Sequence, residues 1–258
     1  MKLFIGSVVL NGLDYTKQFI NSIQTKYKYE LLIVDNNSTD GTADWCKENN
    51  IKVERFTPQV SLSKAWNYII KEALKTNCKY IFIPNNDVIF HKTTIDNLVR
   101  AMEQTDFAMV TGSNEAHNLS LEDFYNLEKP FNISDYNKEI TNWREEGPDF
   151  SCYMIRRDLV EKVGWFDENF YPAYYEDNDM HYRMLLAGLH AKRIFSAPYY
   201  HFGSRTTAIN PHLGLNSEGG KAEFLKKWGA MPSDCMDGGG YKNPYNDTTK
   251  DYKFYNGL

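Results

Sequence analysis

Acidic side chains follow two of the apolar stretches in this 258-residue chain. Asp35 ends one apolar run, and Asp87 follows another after the sequence Pro84–Asn86. A carboxylate at the end of a strand can accept hydrogen bonds from a base or a ribose, or bind a divalent cation. Asx-type turns that end the strands are the alternative for either position alone. Together, at one edge of a sheet, the two acids favour a ligand-binding crevice.

A second acidic pair, Glu176–Asp177, follows the aromatic residues Tyr174 and Tyr175. Acids at the start of a helix are stabilised by the helix dipole, and this suffices for Asp179, which can also pair with Arg183. It explains Glu176 and Asp177 less well, because the tyrosines would exclude water. A carboxylate in such a pocket has a raised pKa and can act as a general base.

Two basic or titratable residues could complete a site. Lys64 lies on a predicted helix that faces the crevice, where it could neutralise a diphosphate, although an exposed helical lysine is more often solvated. His201 follows Tyr199 and Tyr200 at the end of a short predicted strand, and a lone histidine is more often a hydrogen-bonding residue than a ligand.

The elements that must position these residues alternate between strand and helix. Strands are predicted at 3–10, 30–35, 51–56, 80–83, 107–111, 150–156, 191–195 and 199–202. Helices are predicted at 14–24 with Asp14 as N-cap, and at 43–48, 61–75, 94–103, 175–189 and 218–228. This order predicts an α/β fold with a mostly parallel central sheet, helices on both faces and a small antiparallel extension.

Composition excludes several classes of protein. Apolar residues make up 42% and charged residues 24%, so the chain is not disordered. The net charge of −5 argues against binding to a nucleic-acid backbone. No apolar run approaches the roughly 20 residues of a transmembrane helix. The four cysteines form no C-x-x-C pair, which predicts reduced thiols and a cytoplasmic location.

Several motifs, in order from Leu3 to about Ser204, resemble the family 2 inverting glycosyltransferases of the GT-A fold. Val8–Asn11 looks like the end of that family's first strand, and Leu32–Thr42 is very similar to its nucleotide-binding loop. Ser63–Asn67 resembles a stretch near the donor. Asn85-Asn86-Asp87 stands where the family has its D-x-D motif, and Gly164–Phe170 resembles an acceptor-side segment. Glu176-Asp177 resembles the E-D motif, and His201 matches a histidine of the metal site.

The resemblance implies a role for each matching residue. Asp35 would contact the donor base, and Val9 and Asn11 would line the base pocket. The ribose and diphosphate would be approached by Asn37, Lys64, Asn67, Asn85 and Asn86. Asp177 would deprotonate the acceptor hydroxyl, Glu176 would orient the acceptor or Asp177, and Trp165 would pack against a sugar face.

The resemblance also implies a metal cofactor, Mn²⁺ or Mg²⁺, held by Asp87 and His201 between the two phosphates of the donor. Asn85 departs from the family pattern, because it stands at the first position of the D-x-D motif. An amide can hydrogen-bond a ribose hydroxyl but brings no charge to a metal ion. A site with a single carboxylate keeps more water and binds its cation more weakly.

Competing functions are favoured less. A nicotinamide dehydrogenase needs G-x-G-x-x-G after the first strand, and the sequence has none there. A nucleotidyltransferase should carry a basic glycine-rich loop at that point, where the sequence reads Asn11-Gly12-Leu13-Asp14. A non-catalytic carbohydrate-binding protein would explain the 15% aromatic content but not the acids at one rim.

The sequence thus predicts an inverting transferase that moves a sugar, by default from a UDP-hexose, in polysaccharide or glycoconjugate synthesis. Its acceptor would be a glycan, a lipid-linked glycan or a protein. Residues 1–204 are expected to form the catalytic domain, with a nucleotide-sugar half to about 113 and an acceptor half from 114. Residues 205–258 would form a C-terminal helix and tail that select the acceptor or make a homodimer. We expect a cytoplasmic location, either free or peripheral at the inner membrane face.

Overall fold

The computed structural model of the chain describes residues 3–114, 119–127 and 148–229, with two short strands at 236–237 and 240–241. The strands are β1 (Leu3–Val9), β2 (Tyr29–Asp35), β3 (Lys52–Arg55), β4 (Tyr80–Pro84), β5 (Val88–Phe90), β6 (Met109–Ser113), β7 (Cys152–Arg156), β8 (Ala191–His201), β9 (Met236–Asp237) and β10 (Gly240–Tyr241). The helices are α1 (Leu13–Asn21), α2 (Thr42–Glu48), α3 (Leu62–Leu74), α4 (Thr94–Gln104), α5 (Leu121–Tyr125), α6 (Leu159–Val163), α7 (Glu176–Leu186), α8 (Arg205–Ile209) and α9 (Glu218–Trp228).

Strands β1 to β8 form one sheet in the order β3-β2-β1-β4-β7-β6-β8-β5. Strands β3, β2, β1 and β4 are parallel to one another. Strand β7 runs antiparallel to both β4 and β6, and β5 runs antiparallel to β8. Both predicted halves of the catalytic domain contribute strands, since β7 lies between β4 and β6. The predicted fold class is confirmed, antiparallel extension included.

The sheet is covered on both faces because alternate residues of its strands point to opposite sides. Leu3, Ile5 and Val9 of β1 belong to a core that includes residues of α4, such as Leu98. Phe4 belongs to the opposite core, with α3 residues such as Ile69. Gly6 is required by this second contact, since a Cβ there would lie 2.2 Å from Cγ2 of Ile69.

Three local predictions were wrong. The stretches 191–195 and 199–202 form the single strand β8, which continues through Pro198 where its register with β6 shifts. Proline is tolerated at such irregularities, because a ladder hydrogen bond is already missing there. Helix α1 is preceded by Gly12 in the left-handed conformation (φ 83°), and Asp14 lies in its first turn instead of capping it. Strands β5, β9 and β10 and helices α5, α6 and α8 were not predicted.

In the described part of the chain, no helix has the length and apolar character needed to cross a membrane. Cys46, Cys78 and Cys152 are buried free thiols, as predicted, and Cys235 lies outside the described residues. The predicted excursion at 114–148 is described only at Asn114, at 119–127, where α5 forms, and at Pro148. The predicted homodimer and the domain boundaries stay predictions.

Candidate functional site

A cleft of about 590 Å³ opens at the carboxyl ends of β1 and β4. The sheet side of the cleft is formed by Val8, Leu10 and 85–87, and the β7 side by 148–151. The loop before α7 and the start of α7 contribute 172–174, Glu176 and Asp177. Strand β8 and the segment after it contribute Arg193, His201, 204–207 and Leu215. Gln59, Leu62 and Trp66 complete the wall. Six predicted site residues therefore share one cleft, namely Asn85, Asn86, Asp87, Glu176, Asp177 and His201. A second cavity of about 310 Å³, between α1, β5 and α5, contains none of the predicted site residues.

Asp87 and His201 are brought together by strand pairing. Val88 is opposite His201 in the β5–β8 ladder, and the backbone N–H of Phe202 donates to the carbonyl of Asp87 at 3.0 Å. Nε2 of His201 lies 3.1 Å from Oδ1 of Asp87. Burial lowers the pKa of His201, but the hydrogen bond and charge of Asp87, with the charge of Asp149, raise it to a net value above the ordinary one.

This pair fits a divalent cation of the kind implied by the sequence. An imidazole nitrogen and a carboxylate oxygen are ligands that Mn²⁺ accepts, and the two atoms point into the same cleft. Among the described residues, no group of three or more histidine, cysteine or acidic side chains is arranged to hold a metal ion. A cation here would therefore take its other ligands from water, amides or the phosphates of a bound donor.

The second acidic pair begins α7. Glu176 is only 3% exposed, whereas Asp177 is partly exposed to the cleft. Burial and then the charge of Asp177 raise the pKa of Glu176 well above its usual range. Burial also raises the pKa of Asp177, although the backbone N–H of Asn178 donates to its Oδ1 at 2.8 Å. A carboxylate with a raised pKa is a stronger base, which suits proton abstraction from a hydroxyl.

Glu176→Gln is expected to stabilise the fold increasingly as pH rises above about 4.5. The folded pKa of Glu176 is raised, so the folded state keeps a proton that the unfolded state releases, and stability falls as pH rises toward the folded pKa. Oε2 of Glu176 has no hydrogen-bond partner within the described residues, so the charge is poorly compensated. A neutral amide removes this unfavourable free energy, and Tm should rise by about 2–4 °C for each kcal/mol of stability regained.

Thermal melts from pH 4 to pH 8 measure this effect. The exposed Glu161→Gln is the matched control and should leave Tm unchanged across the range. A difference in Tm between Glu176→Gln and the unsubstituted protein that does not vary with pH would contradict the assigned pKa.

The loop after β2 is a pre-formed structure tied to the loop after β1. Asp35 is fully buried, and its Oδ1 accepts a hydrogen bond from the backbone N–H of Ser38 at 2.7 Å. Its Oδ2 has no hydrogen-bond partner among the described residues and lies 3.9 Å from Nε of Arg55. The Ser38 hydroxyl accepts from the backbone of Asn11, and Oδ1 of Asn11 accepts from the backbone of Thr39. Asn37 is partly exposed on this loop, with φ of 79°.

Seven predicted site residues do not line the cleft, namely Asn11, Asp35 and Asn37 on the loops just described, and Val9, Lys64, Asn67 and Trp165. Val9 packs in the core, because Val8 and Leu10 take the cleft-facing positions of the strand alternation. Lys64 is exposed on α3 and does not line the cleft. The Asn67 amide is paired with the backbone N–H and carbonyl of Phe166, at 3.0 and 2.8 Å, and so joins α3 to the 166 loop. Trp165 packs against the core on the same face as α3.

Four cleft residues were missed by sequence reasoning. Arg193 and Arg205 are the arginines among the described cleft lining, which does not include Lys64. Asp149 is hydrogen-bonded by the Tyr199 hydroxyl and by the backbone of Ser151, and its charge acts on both His201 and Asp177. Tyr174 lines the cleft with 42% of its surface exposed. No motif marks these positions, because the residues come from separate strands, helices and loops that meet only in the folded chain.

The segment after His201 forms one wall of the cleft. Asn210 is fully buried, and its amide donates to the carbonyl of Leu10 at 3.0 Å. Its Oδ1 accepts from the side-chain amide of Asn11. These contacts fix the position of 203–215, which carries Arg205, Thr206 and Thr207 along one wall of the cleft.

Comparison with known proteins decides the family. The family model described as "Glycosyl transferase family 2" matches residues 5–164, more than half of the chain. The chain belongs to glycosyl transferase family 2. The family prediction is thereby confirmed, whereas Glu176, Asp177 and His201 lie beyond the matched residues.

Individual relatives are distant. A galactofuranosyl glycosyltransferase of Leishmania donovani is 44% identical over 54 residues, which are 20% of this chain and 12% of that protein. The mannosyltransferase PcManGT of Pyrobaculum calidifontis, solved with GDP-Man and Mn²⁺, superposes with a TM-score of 0.62 at 16% identity, covering 87% of this chain and 64% of that one. TarS of S. aureus, residues 1–349, superposes with a TM-score of 0.58 at 14% identity, covering 83% and 64%. This family 2 chain thus spans less than two thirds of the length of each of these proteins, and it shares the GT-A fold of the two solved structures.

Proposed function

We propose that this family 2 chain transfers a sugar from a nucleoside-diphosphate sugar to an acceptor hydroxyl, with inversion at the anomeric carbon. One observation carries the proposal: the Asp87–His201 pair and the Glu176–Asp177 pair line the same cleft. The first suits the diphosphate end of a donor and the second suits a nucleophilic hydroxyl. Structural neighbours solved with UDP-GlcNAc and with GDP-Man and Mn²⁺ support such a donor.

The donor would bind along the carboxyl ends of β1, β2 and β4. The loop of Asp35, Asn37 and Asn11 would receive the base and ribose, with Asn37 as its partly exposed member and Asp35 as the buried acid that holds the loop through Ser38. Arg193 and Arg205 would face the diphosphate, since both line the cleft and carry positive charge. Asn85 and Asn86 would contribute amides beside them, although Nδ2 of Asn86 already donates to Thr16.

Asp87 and His201 would hold Mn²⁺ or Mg²⁺, which would stabilise the negative charge that develops on the leaving diphosphate. Asp177 would accept the proton of the acceptor hydroxyl as that oxygen attacks the anomeric carbon from the face opposite the diphosphate. Attack from that face inverts the anomeric configuration. Glu176 would orient Asp177 or the acceptor, because Glu176 is buried and immediately precedes Asp177 in α7.

The acceptor side of the cleft bears an exposed aromatic residue. Tyr174 lies two residues before Glu176, and its hydroxyl is 3.4 Å from the Thr207 hydroxyl across the cleft wall. Its ring is rigid and amphipathic, which suits contact with one face of a sugar ring. The acceptor is therefore proposed to be a glycan or glycoconjugate, in keeping with polysaccharide or glycoconjugate synthesis at a cytoplasmic or peripheral inner-membrane location.

Tyr174→Ala is expected to raise the KM for a sugar acceptor about 3–10-fold, because an aromatic contact of this kind contributes about 0.5–1.5 kcal/mol. Tyr174→Phe keeps the ring and loses only the long contact with Thr207, so it should retain the KM of the unsubstituted protein. Initial-rate kinetics with varied acceptor measure both. An equal rise in KM for the two variants would assign the effect to the hydroxyl instead of the ring.

The proposed function is tested by a screen of sugar nucleotides with and without Mn²⁺. The screen includes UDP-hexoses, GDP-mannose and UDP-galactofuranose, the last because of the galactofuranosyl relative. We expect one donor to raise Tm only with Mn²⁺ and to release free nucleoside diphosphate. Binding without release would favour a carbohydrate-binding protein, and release of pyrophosphate from a nucleoside triphosphate would favour a nucleotidyltransferase.

A further inference from the structure

Helix α9 lies beyond the family match and packs against the loop that immediately precedes the acidic pair. This loop has an uncommon backbone, since Tyr174 and Tyr175 both adopt left-handed conformations with φ of 78° and 69°. Two consecutive non-glycine residues in this region persist only where their surroundings impose the conformation. The next residue is Glu176, so whatever fixes these two tyrosines also fixes the start of α7.

The first turn of α9 presses on this loop through a glycine. A Cβ on Gly220 would lie 2.0 Å from the carbonyl oxygen of Tyr174 and 3.0 Å from that of Ala173. At Gly219 a Cβ would lie 2.7 Å from the carbonyl oxygen of Tyr171. The helix backbone therefore rests directly on the loop backbone, at a distance that no larger side chain would allow.

The last turn of α9 binds α7 through charge. Nζ of Lys227 lies 2.8 Å from Oδ1 of Asp179 and 2.7 Å from Oδ2 of Asp167. The indole N–H of Trp228 donates to Oδ1 of Asp179 at 2.9 Å. Arg183 donates to the other oxygen at 2.9 and 3.0 Å. Asp179 is fully buried two residues after Asp177, and two of the three side chains that bind it come from α9.

Apolar contacts close the space between these two ends. Phe224 and Trp228 of α9 pack with Phe170 and Tyr182 in a separate buried cluster, and the Tyr175 ring lies 5.8 Å from that of Phe224. The polar contacts of Asp179 therefore lie beside an apolar cluster that limits access of water. Charge-assisted hydrogen bonds are stronger in such an environment than in water.

We propose that α9 is a positioning element for the Glu176–Asp177 pair, in which Gly220 holds the Tyr174–Tyr175 turn and Lys227 holds Asp179. The inference rests on the proposed function of that pair. Lys227 and Gly220 do not line the cleft, so they act through Glu176 and Asp177 and are positioning residues.

Lys227 also has an electrostatic consequence that a purely structural contact would lack. Glu176 faces Asp177 and Asp179 on its own helix, and Tyr153 on β7 is close enough to feel the charge of both members of the pair. Asp177 in turn feels the charge of Asp149. The Lys227 ammonium offsets the negative charge of Asp179. Its removal therefore leaves the Glu176–Asp177 pair in a more negative environment, which should raise the pKa of the proposed base Asp177 and move the acidic limb of the kcat profile to higher pH.

The test compares Lys227→Met with Lys226→Met in the full chain. Lys226 is the matched control, because it precedes Lys227 in the same helix but pairs only with Glu223 at the surface among the described residues. With the sugar nucleotide that turns over fastest in the screen above, Lys227→Met should lower kcat about 10–100-fold, as expected of a misplaced catalytic group, with the donor KM within twofold. The acidic limb of its profile should move to higher pH, and Lys227→Arg should recover most of kcat. Lys226→Met should change none of these.

Amide hydrogen exchange of the unliganded protein supplies a readout that does not depend on activity. The amides of 173–178 should exchange about tenfold faster in Lys227→Met than in Lys226→Met. Equal kcat, pH profile and exchange in the two variants would overturn the inference. If Lys227→Met fails to fold, Gly220→Ala takes its place: faster exchange at 173–178 supports the positioning role, and unchanged exchange overturns it. Failure of the proposed function is distinct, because the unsubstituted protein would then turn over no donor while the exchange comparison still applies.

Discussion

Asp177→Asn is expected to lower kcat by about 10²–10⁴-fold, the contribution of a general base. Asparagine has nearly the same shape and can still be positioned at the start of α7, but its amide cannot take a proton from the acceptor. Because Asp177 would act on the acceptor, donor affinity should be unchanged. Steady-state kinetics give kcat, and calorimetry with the nucleoside diphosphate and Mn²⁺ gives donor-side affinity.

The exposed Asp44→Asn on α2 is the control for this substitution and should retain full kcat. A variant at Asp177 that retains near-normal turnover would remove this residue from the mechanism. The base would then have to be sought among the cleft carboxylates that are not assigned to the metal ion, Glu176 and Asp149.

Asp87→Ala is expected to abolish the Mn²⁺-dependent part of donor binding. Asp87 is the carboxylate that lies within 3.1 Å of His201, and loss of outer-shell support alone already costs metal sites about 10–100-fold in affinity. A lost ligand should cost at least as much. The main defect of Asp87→Ala should therefore be weaker donor binding. Asp177→Asn should instead lower kcat and leave donor affinity unchanged, so the two variants can be distinguished.

Calorimetry with the nucleoside diphosphate checks this result, with the EDTA-treated unsubstituted protein as the matched reference. Both should show the same weakened affinity, and Mn²⁺ should restore only the unsubstituted protein. Asn85→Asp adds the carboxylate that the D-x-D motif lacks here, so it should lower the Mn²⁺ concentration needed for binding. Donor affinity that is indifferent to both Asp87 and Mn²⁺ would contradict the metal site.

Much of the fold was already determined by local pattern. Strands β1 and β4 and the last part of β2 are continuous apolar runs, and polar loops follow them, so a mostly parallel sheet could be predicted. The acids Asp35 and Asp87 follow from the same pattern, since a carboxylate at the end of a buried strand must lie at the sheet edge.

Side-chain direction within these elements was harder to predict. Val9 was placed in the base pocket although Val8 and Leu10 face the cleft, because a shift of one residue along a strand reverses the face. Asn67 looked like a donor contact, but its amide binds the backbone of Phe166, 99 residues away. Short-range pattern contains no information about such a distant partner.

The sequence by itself determined the α/β class, the strand ends that bear acids and the family to which the chain belongs, because each of these follows from local periodicity or a contiguous motif. Only the tertiary structure decided that Asp87 meets His201, that Arg193 and Arg205 line the cleft whereas Lys64 does not, and that α9 rests on the turn before Glu176. These contacts join residues far apart in the chain, and their geometry is set by strand register and by the close approach that Gly220 permits.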